Sequence, residues 1–464
     1  MVSDKKIVYP YMPNSTFDVK KAMLDELEVE SVKDLYTYIP ENLRFKGKLN
    51  LPEPLLSEIE LKDHVEEILS KNKSTAEYIS FLGAGCYKHY VPAICDEINS
   101  RSEFLTAYCG GTYTDHGKCQ AIFEFTSLMG ELLDMDVVGL PTYDGAQAAS
   151  TAIRMTNRLT GRKEILVPIT MNPEILSHMK NYCDFMNITT IAYDEQSGNL
   201  DLKDLKSKIS ENTSVIFIEN PSYLGMLETQ GEEIAKIAHD NGALFVVYAE
   251  PSTLGILEAP VNYGADIVCG DIQSLGMHMG FGSGHAGYIA TKNEPEYIMN
   301  YPTHFYGLYE NEKGEFGFSR SLNQRTSYGS RENAVEYLGT NSGLWAITAA
   351  VYLSLMGPQG MYDLGKNMIC KTNYFKKRIS EINGVNLKFK SGTNFNEVVI
   401  DFKGSGKKAE VINKLLFEKG IIGGKDLSHD MEGFTDCALY CITELTKKSD
   451  IDLVCNYIRQ ITGK

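Results

Sequence analysis

Between residues 75 and 348, short apolar runs alternate with stretches of helical periodicity, and this alternation restricts the chain to a sheet covered by helices on both faces. The runs are Ile165-Leu-Val-Pro168, residues 189–193, Ser214-Val-Ile-Phe-Ile218, Ala243-Leu-Phe-Val-Val-Tyr248, Asp266-Ile-Val-Cys269 and Ala286-Gly-Tyr-Ile-Ala290. Each is apolar at successive positions, not at alternate ones, which suits parallel strands buried on both sides. Segments such as residues 232–241 supply the helices between them. The pattern predicts a doubly wound α/β domain.

The flanks read differently. Up to about residue 75 the chain is charged and helix-patterned over residues 18–28 and 61–69, with turns marked by Pro40, Pro52 and Pro54. So little apolar content per residue predicts an arm that gains its stability on another surface. After a long apolar helix over residues 344–356 come Phe395-Asn-Glu-Val-Val-Ile400, a helix over residues 408–419, Ile421-Ile422, Cys437-Ala-Leu-Tyr-Cys-Ile442 and a last amphipathic helix. That order is a small α+β domain. The expected partition is an arm over residues 1–75, a large α/β domain over 76–348 and a small α+β domain over 349–464.

A formal net charge of −16 argues against nucleic acid and anionic membranes as partners, because both would repel such a surface. The 10 cysteines form no paired CxxC framework, which suits a reducing cytoplasm, and no secretion signal or membrane-length apolar run is evident. His89, His116, His278 and His285 lack ligand spacing to Cys or carboxylates, so no metal is expected.

A series of short motifs runs almost from end to end. In the arm these are Tyr11-Met-Pro-Asn14 and Ile39-Pro-Glu-Asn-Leu-Arg44; next come Phe81-Leu-Gly-Ala-Gly85, Ser100-Arg-Ser-Glu-Phe104 and Thr106-Ala-Tyr108. Gln120-Ala-Ile-Phe-Glu124, Met135-Asp-Val137, Tyr143-Asp-Gly-Ala146, Tyr263-Gly-Ala-Asp266 and Gln273-Ser-Leu-Gly276 follow. The series ends with Phe395-Asn-Glu397, Lys419-Gly-Ile-Ile-Gly-Gly424 and Thr443-Glu444. In order and spacing the set resembles subunit 1 of glycine dehydrogenase (decarboxylating), the N-terminal-type P-protein subunit of the glycine cleavage system. The resemblance implies a large domain like those of fold-type I pyridoxal-phosphate-dependent transferases. It also implies a partner, subunit 2, in an α2β2 assembly. That partner would carry pyridoxal phosphate, decarboxylate glycine and pass the aminomethyl group to the lipoyl group of the H-protein.

The same resemblance gives meaning to the stretch Gly264-Ala-Asp-Ile-Val-Cys-Gly-Asp-Ile-Gln273-Ser274-Leu-Gly-Met277. In active relatives this strand ends in His-Lys, and the lysine binds the cofactor covalently. Here Gln273 and Ser274 take those places, and no lysine occurs between Lys236 and Lys292. The chain is thus expected to lack a catalytic residue and to keep a vestigial pocket of Tyr143, Asp144, Gly145, Asn220, Glu250, Gln273 and Ser274. Asp144 and Gly145 also read as a plain helix start, and Glu250 stands where an Asp usually meets the pyridine nitrogen. Gly280-Phe-Gly-Ser-Gly284 reads more readily as a tight turn than as a phosphate loop.

Residues expected to complete the partner's pocket or line the interface are Tyr108, Tyr113, Lys118, Arg331 and Asn341. Around them the chain departs from the family. Cys109-Gly-Gly-Thr-Tyr-Thr-Asp-His-Gly-Lys118 replaces a loop containing Tyr-Gln-Pro-Glu, and residues 331–340 differ from a Lys-Ala-Thr-Ser-Asn run. Two alternatives therefore stand beside glycine cleavage: a paralogous heteromer acting on another small amino acid, and a non-catalytic binding or regulatory protein on the same fold.

Overall fold

The computed structural model describes residues 11–47, 49–105, 116–282, 285–335 and 342–463. The chain divides into two compact units, Met1–Lys73 and Ser74–Lys464. The first contains the helices Phe17–Glu26 and Glu58–Leu69 and, between them, the 3-10 turns Val32–Tyr36 and Glu41–Leu43. Neither helix has a buried residue. Their apolar side chains, among them Phe17, Val19, Met23, Ile59, Leu61, Val65 and Ile68, are exposed, so the scarcity of apolar residues expected of this arm is corrected.

The second unit is built on a seven-stranded sheet. Its strands are β1 (Val137–Val138), β2 (Glu164–Pro168), β3 (Asn187–Ile191), β4 (Thr213–Asn220), β5 (Leu244–Ala249), β6 (Ile267–Asp271) and β7 (Gly287–Thr291). They lie in the order β1-β7-β6-β5-β4-β2-β3. Alternate residues of the central strands feed two separate cores. Ile216, Ile218, Phe245 and Val247 enter one, and Val215, Phe217 and Val246 enter the other. This double burial explains why the runs are apolar at every position.

One expectation is corrected. The run at residues 286–290 forms β7, which pairs antiparallel with both β6 and β1. A parallel return would need a crossover, usually helical, and among the described residues the connection after β6 holds only the 3-10 turn Gly280–Gly282. The hairpin Phe305–Glu310 with Phe316–Ser321 is not among the expected strands; its second strand has no buried residue and lacks the apolar continuity of the central strands.

The last part of the unit is a four-stranded antiparallel sheet of Asn386–Leu387, Glu397–Asp401, Cys437–Cys441 and Lys425–Asp426, in that spatial order. The helices Ala409–Phe417 and Lys448–Thr462 supply Ile412, Leu416, Ile451, Val454 and Ile458 to its core. Near the start of the unit Ile79–Ser80 pairs in parallel with Ile421–Ile422.

A helix spanning Gly343–Ile379 carries the chain from the large sheet to the small one, and the boundary read between residues 348 and 349 lies inside it. It breaks at Gly357, with φ 59° and ψ −177°, just before Pro358. The proline has no N–H to donate and disfavours helical backbone at the residue before it, so the apolar helix read over residues 344–356 stops there and a second helical segment begins. That dihedral pair is almost confined to glycine, and nothing lies within 4 Å of a Cβ placed on Gly357. Gly357→Ala is therefore expected to cost about 1–3 kcal/mol through the backbone alone. It should appear as a lower Tm in thermal unfolding; an unchanged Tm would contradict this path for the chain.

Candidate functional site

The carboxyl ends of β4, β5 and β6 converge with the start of the helix Gly145–Thr160, the position at which open α/β sheets build their sites. Two side chains of the chain itself cap the helix start. Asp144 accepts from the Gln147 amide at 2.7 Å, and Gln147 Oε1 accepts from the Tyr143 amide at 3.0 Å. The Gly145 amide donates to Asp271 Oδ2 at 2.8 Å. A Cβ on Gly145 would collide with the Tyr248 hydroxyl, so glycine here permits the close approach of β5.

Ser274 and Glu250 meet directly. The buried Ser274 hydroxyl donates to Glu250 Oε1, which also accepts from the Ser252 amide at 3.2 Å. Burial pushes the Glu250 carboxyl above its ordinary pKa, with the Ser274 hydrogen bond opposing the shift. Gln273 is spent on backbone: its Oε1 accepts from the Tyr87 amide, and its Nε2 donates to the Tyr87 and Met277 carbonyls, each at 3.0 Å. Asn220 likewise stitches a loop, accepting from the Glu228 amide at 3.1 Å and donating to Tyr263 Oη at 3.3 Å.

Two further carboxylates complete the wall. Glu219, at the end of β4, accepts from the Asn172 amide at 3.0 Å and the Tyr223 amide at 3.3 Å. Glu397, from the small sheet, accepts from the Ala84 amide at 2.7 Å and from Tyr87 Oη at 3.0 Å. Burial raises both to about 7, with those hydrogen bonds pulling the other way. Glu219, Glu250, Asp271 and Glu397 line a cavity of about 40 Å³ that no Lys or Arg lines.

These residues do not fit pyridoxal phosphate. A phosphate needs free amides at the helix start, and the Gly145 amide is taken by an internal carboxylate. An aldehyde needs an amine, and Ser274 offers a hydroxyl already donated to Glu250. The cavity is far smaller than the roughly 300–1,000 Å³ usual for small-molecule sites, and no Lys or Arg among the described residues lines it to meet a phosphate.

Of the remaining expected residues, Tyr143 is half exposed at the rim, and Lys118 is buried in the first turn of the helix His116–Leu133. Arg331 is exposed, with φ 52°, at a 3-10 turn. Tyr108, Tyr113 and Asn341 lie outside the described residues, as does most of the altered loop. The run after Ser274 forms the 3-10 turn Gly280–Gly282, with Phe281 fully exposed. His89 pairs with Glu444 at 2.8 Å, His278 with Asp96 at 3.0 Å and His285 with Asp271 at 3.1 Å. Among the described residues no group of three His, Cys, Asp or Glu is placed to hold a metal ion. Glu219, Glu397 and Tyr87 were missed as site residues. The available sign for Glu219 was a carboxylate near the end of an otherwise apolar strand run, and for Glu397 one at the start of such a run; Tyr87 gave none.

Comparison with known proteins bears on this geometry. The model of the glycine cleavage system P-protein family matches residues 10–458. Proteins named probable glycine dehydrogenase (decarboxylating) subunit 1 align over nearly their whole length. That of Pyrococcus furiosus is 36% identical over 97% of this chain and 99% of its own, and that of Bacillus mycoides is 36% identical with the same coverage. A crystal structure of glycine decarboxylase (P-protein) of the glycine cleavage system superposes with a TM-score of 0.85 at 29% identity, covering 98% of this chain and 100% of that one. An apo cysteine desulfurase from Thermococcus onnurineus NA1 superposes with a TM-score of 0.63 at 15% identity over 86% of this chain and 98% of its own, a likeness of fold alone.

The raised pair Glu219 and Glu397 implies a pH dependence of stability with a definite sign. Between the ordinary carboxyl value near 4.5 and the folded value of about 7, the folded chain holds protons that the unfolded chain has released. Stability therefore falls as pH rises through this window and levels off above it. Glu219→Gln and Glu397→Gln should each flatten the fall and raise stability at about pH 8 by on the order of 2–3 kcal/mol. Urea unfolding across the window measures this; a decline equally steep in both variants would refute it.

Proposed function

Because the chain belongs to the glycine cleavage system P-protein family, we propose that it is subunit 1 of a glycine dehydrogenase (decarboxylating), inactive alone and needed to complete the active site of subunit 2. In this reading the partner carries pyridoxal phosphate and decarboxylates glycine, and the aminomethyl group passes to the lipoyl group of the H-protein. The observation that carries it is Ser274: the position of the Schiff-base lysine holds a hydroxyl bound to Glu250, beside a cavity walled by carboxylates.

What remains for this chain is support of the neighbour. Its strand ends and helix start are preformed, because Asp144, Glu219, Asp271 and Glu397 each hold a backbone amide of the chain itself. Tyr108, Tyr113, Lys118, Arg331 and Asn341 are the residues proposed to reach the partner's pocket or line the interface, in an α2β2 complex in the cytoplasm.

Borohydride reduction of the complex captured with tagged chain, followed by peptide mass spectrometry, tests this reading. The pyridoxyl label is expected on a lysine of the co-purifying subunit and none on this chain, and glycine-dependent carbon dioxide exchange should require both chains and H-protein. Ser274→Lys should still leave position 274 unlabelled, since the amine would meet no cofactor in so small a cavity. A label anywhere on this chain, or full exchange activity from the partner alone, would overturn the proposal. A panel of amino acids in the same assay separates glycine from another small substrate.

A further inference from the structure

A second cavity, of about 380 Å³, has no role in the proposed function and shares no lining residue with the carboxylate-walled one. Its size falls within the range usual for small-molecule sites. One wall is formed by residues 75–80 with Leu82 and Lys88. The other is the turn after the strand Cys437–Cys441 together with the start of the helix Lys448–Thr462. The walls are pinned to each other: the Cys441 amide donates to the Phe81 carbonyl at 2.8 Å, and the Thr443 hydroxyl donates to the Lys88 carbonyl at 2.8 Å. The space between them is therefore preformed and does not depend on an occupant.

Several hydrogen-bond donors along this lining are unused by the protein. The half-buried Lys88 ammonium donates to the carbonyl of Thr75, itself a lining residue, and keeps two N–H groups. Thr446 is more than nine-tenths buried; its hydroxyl accepts from the Thr443 amide at 3.1 Å and donates to no group among the described residues. The Ser80 hydroxyl likewise accepts from the Leu82 amide at 3.3 Å without donating. Charges of both signs stand in the same space without neutralising one another. Lys88 and Glu77 belong to the first wall, Lys447 and Asp450 to the second, and among the described residues none of the four forms an ion pair. Asp450 is partly committed, accepting from the Lys447 amide at 3.1 Å and the Ser449 hydroxyl at 3.3 Å, whereas the exposed Glu77 carboxylate accepts no hydrogen bond. Ile79, Leu82 and Leu445 add apolar surface to the lining.

We propose that this cavity binds a small aliphatic α-amino acid as its zwitterion. The ligand carboxylate takes the Lys88 ammonium with the Thr446 and Ser80 hydroxyls, and the ligand ammonium takes Glu77. Each charge of the zwitterion thus meets a group that the chain leaves without an ionic partner. A simple anion would leave Glu77 unmatched beside it, and a simple amine would meet two lysines. The aliphatic side chain covers Leu82 and Leu445, both exposed at the cavity, which glycine cannot do. An occupant of this kind touches both walls, so it ties the first segment of the unit to the small sheet and stabilises the folded chain by mass action.

Isothermal titration calorimetry of the full-length chain with L-leucine as the probe tests the site. Glycine, isocaproate and isoamylamine serve as analogues lacking the side chain, the ammonium and the carboxylate. Saturable binding of L-leucine is expected, with each analogue at least about tenfold weaker. Glu77→Gln and Lys88→Met should each weaken L-leucine by at least about tenfold as well. Glu77 is exposed and holds no side-chain hydrogen bond, so its variant reports on the site even if Lys88→Met does not fold. No saturable heat with L-leucine up to about 10 mM, an analogue binding as tightly as L-leucine, or undiminished binding to Glu77→Gln would overturn the proposal. None of these readouts involves subunit 2 or decarboxylation, so failure here leaves the proposed function standing.

Discussion

The Asp271 carboxylate is the point on which the site depends. It takes the Gly145 amide, the Gln273 amide and the His285 ring, so the start of one helix, the exit of β6 and the entry to β7 converge on a single side chain. A charge-assisted hydrogen bond at a helix start also satisfies the positive end of the helix dipole. From there the order propagates. The turn held by the Gln273 amide lets the Gln273 side chain clamp the Tyr87 backbone, and the Tyr87 hydroxyl then reaches Glu397 on the small sheet. Gly83 makes room for that last contact, since a Cβ there would collide with Glu397 Oε1.

A buried serine at position 274 leaves the cavity beside it without a cation of its own. A lysine would have set a cation among carboxylates contributed by several strand ends, and without it those groups must be neutralised in another way. Proton retention supplies the neutralisation, because an isolated buried carboxylate costs far more than a protonated one. The raised values of Glu219 and Glu397 and the protonated tyrosines around them express that single requirement. A cavity this small, neutralised by protons and lined by no Lys or Arg among the described residues, does not suit a phosphorylated cofactor.

Much of this architecture was legible in the chain itself. The apolar runs locate β4, β5 and β6 because burial on both faces leaves a mark at nearly every residue, and Asp144 with Gly145 reads directly as a helix start. The direction of β7 was not legible, since strand orientation depends on the connection and not on the apolar pattern. The Gly357–Pro358 break was visible as a helix end, whereas the continuation beyond it was not, because the second segment is less uniformly apolar. Glu219, Glu397 and Tyr87 escaped for a different reason. Their meaning lies in contacts across distant segments, and a single residue at a strand end or in a glycine-rich turn carries no trace of the partner it will meet.

The parallel pairing of Ile79–Ser80 with Ile421–Ile422 joins the two ends of the compact unit. During synthesis the early strand leaves the ribosome with an unpaired edge and waits for nearly the whole chain before its partner exists. Such pairings are slow to form because the intervening loop must close first, and an open strand edge invites association in the meantime. The large sheet can assemble as it emerges, but the unit seals only once its last hundred residues are complete. A truncated product would therefore expose the edge that the intact chain hides, so the pairing also separates finished chains from unfinished ones.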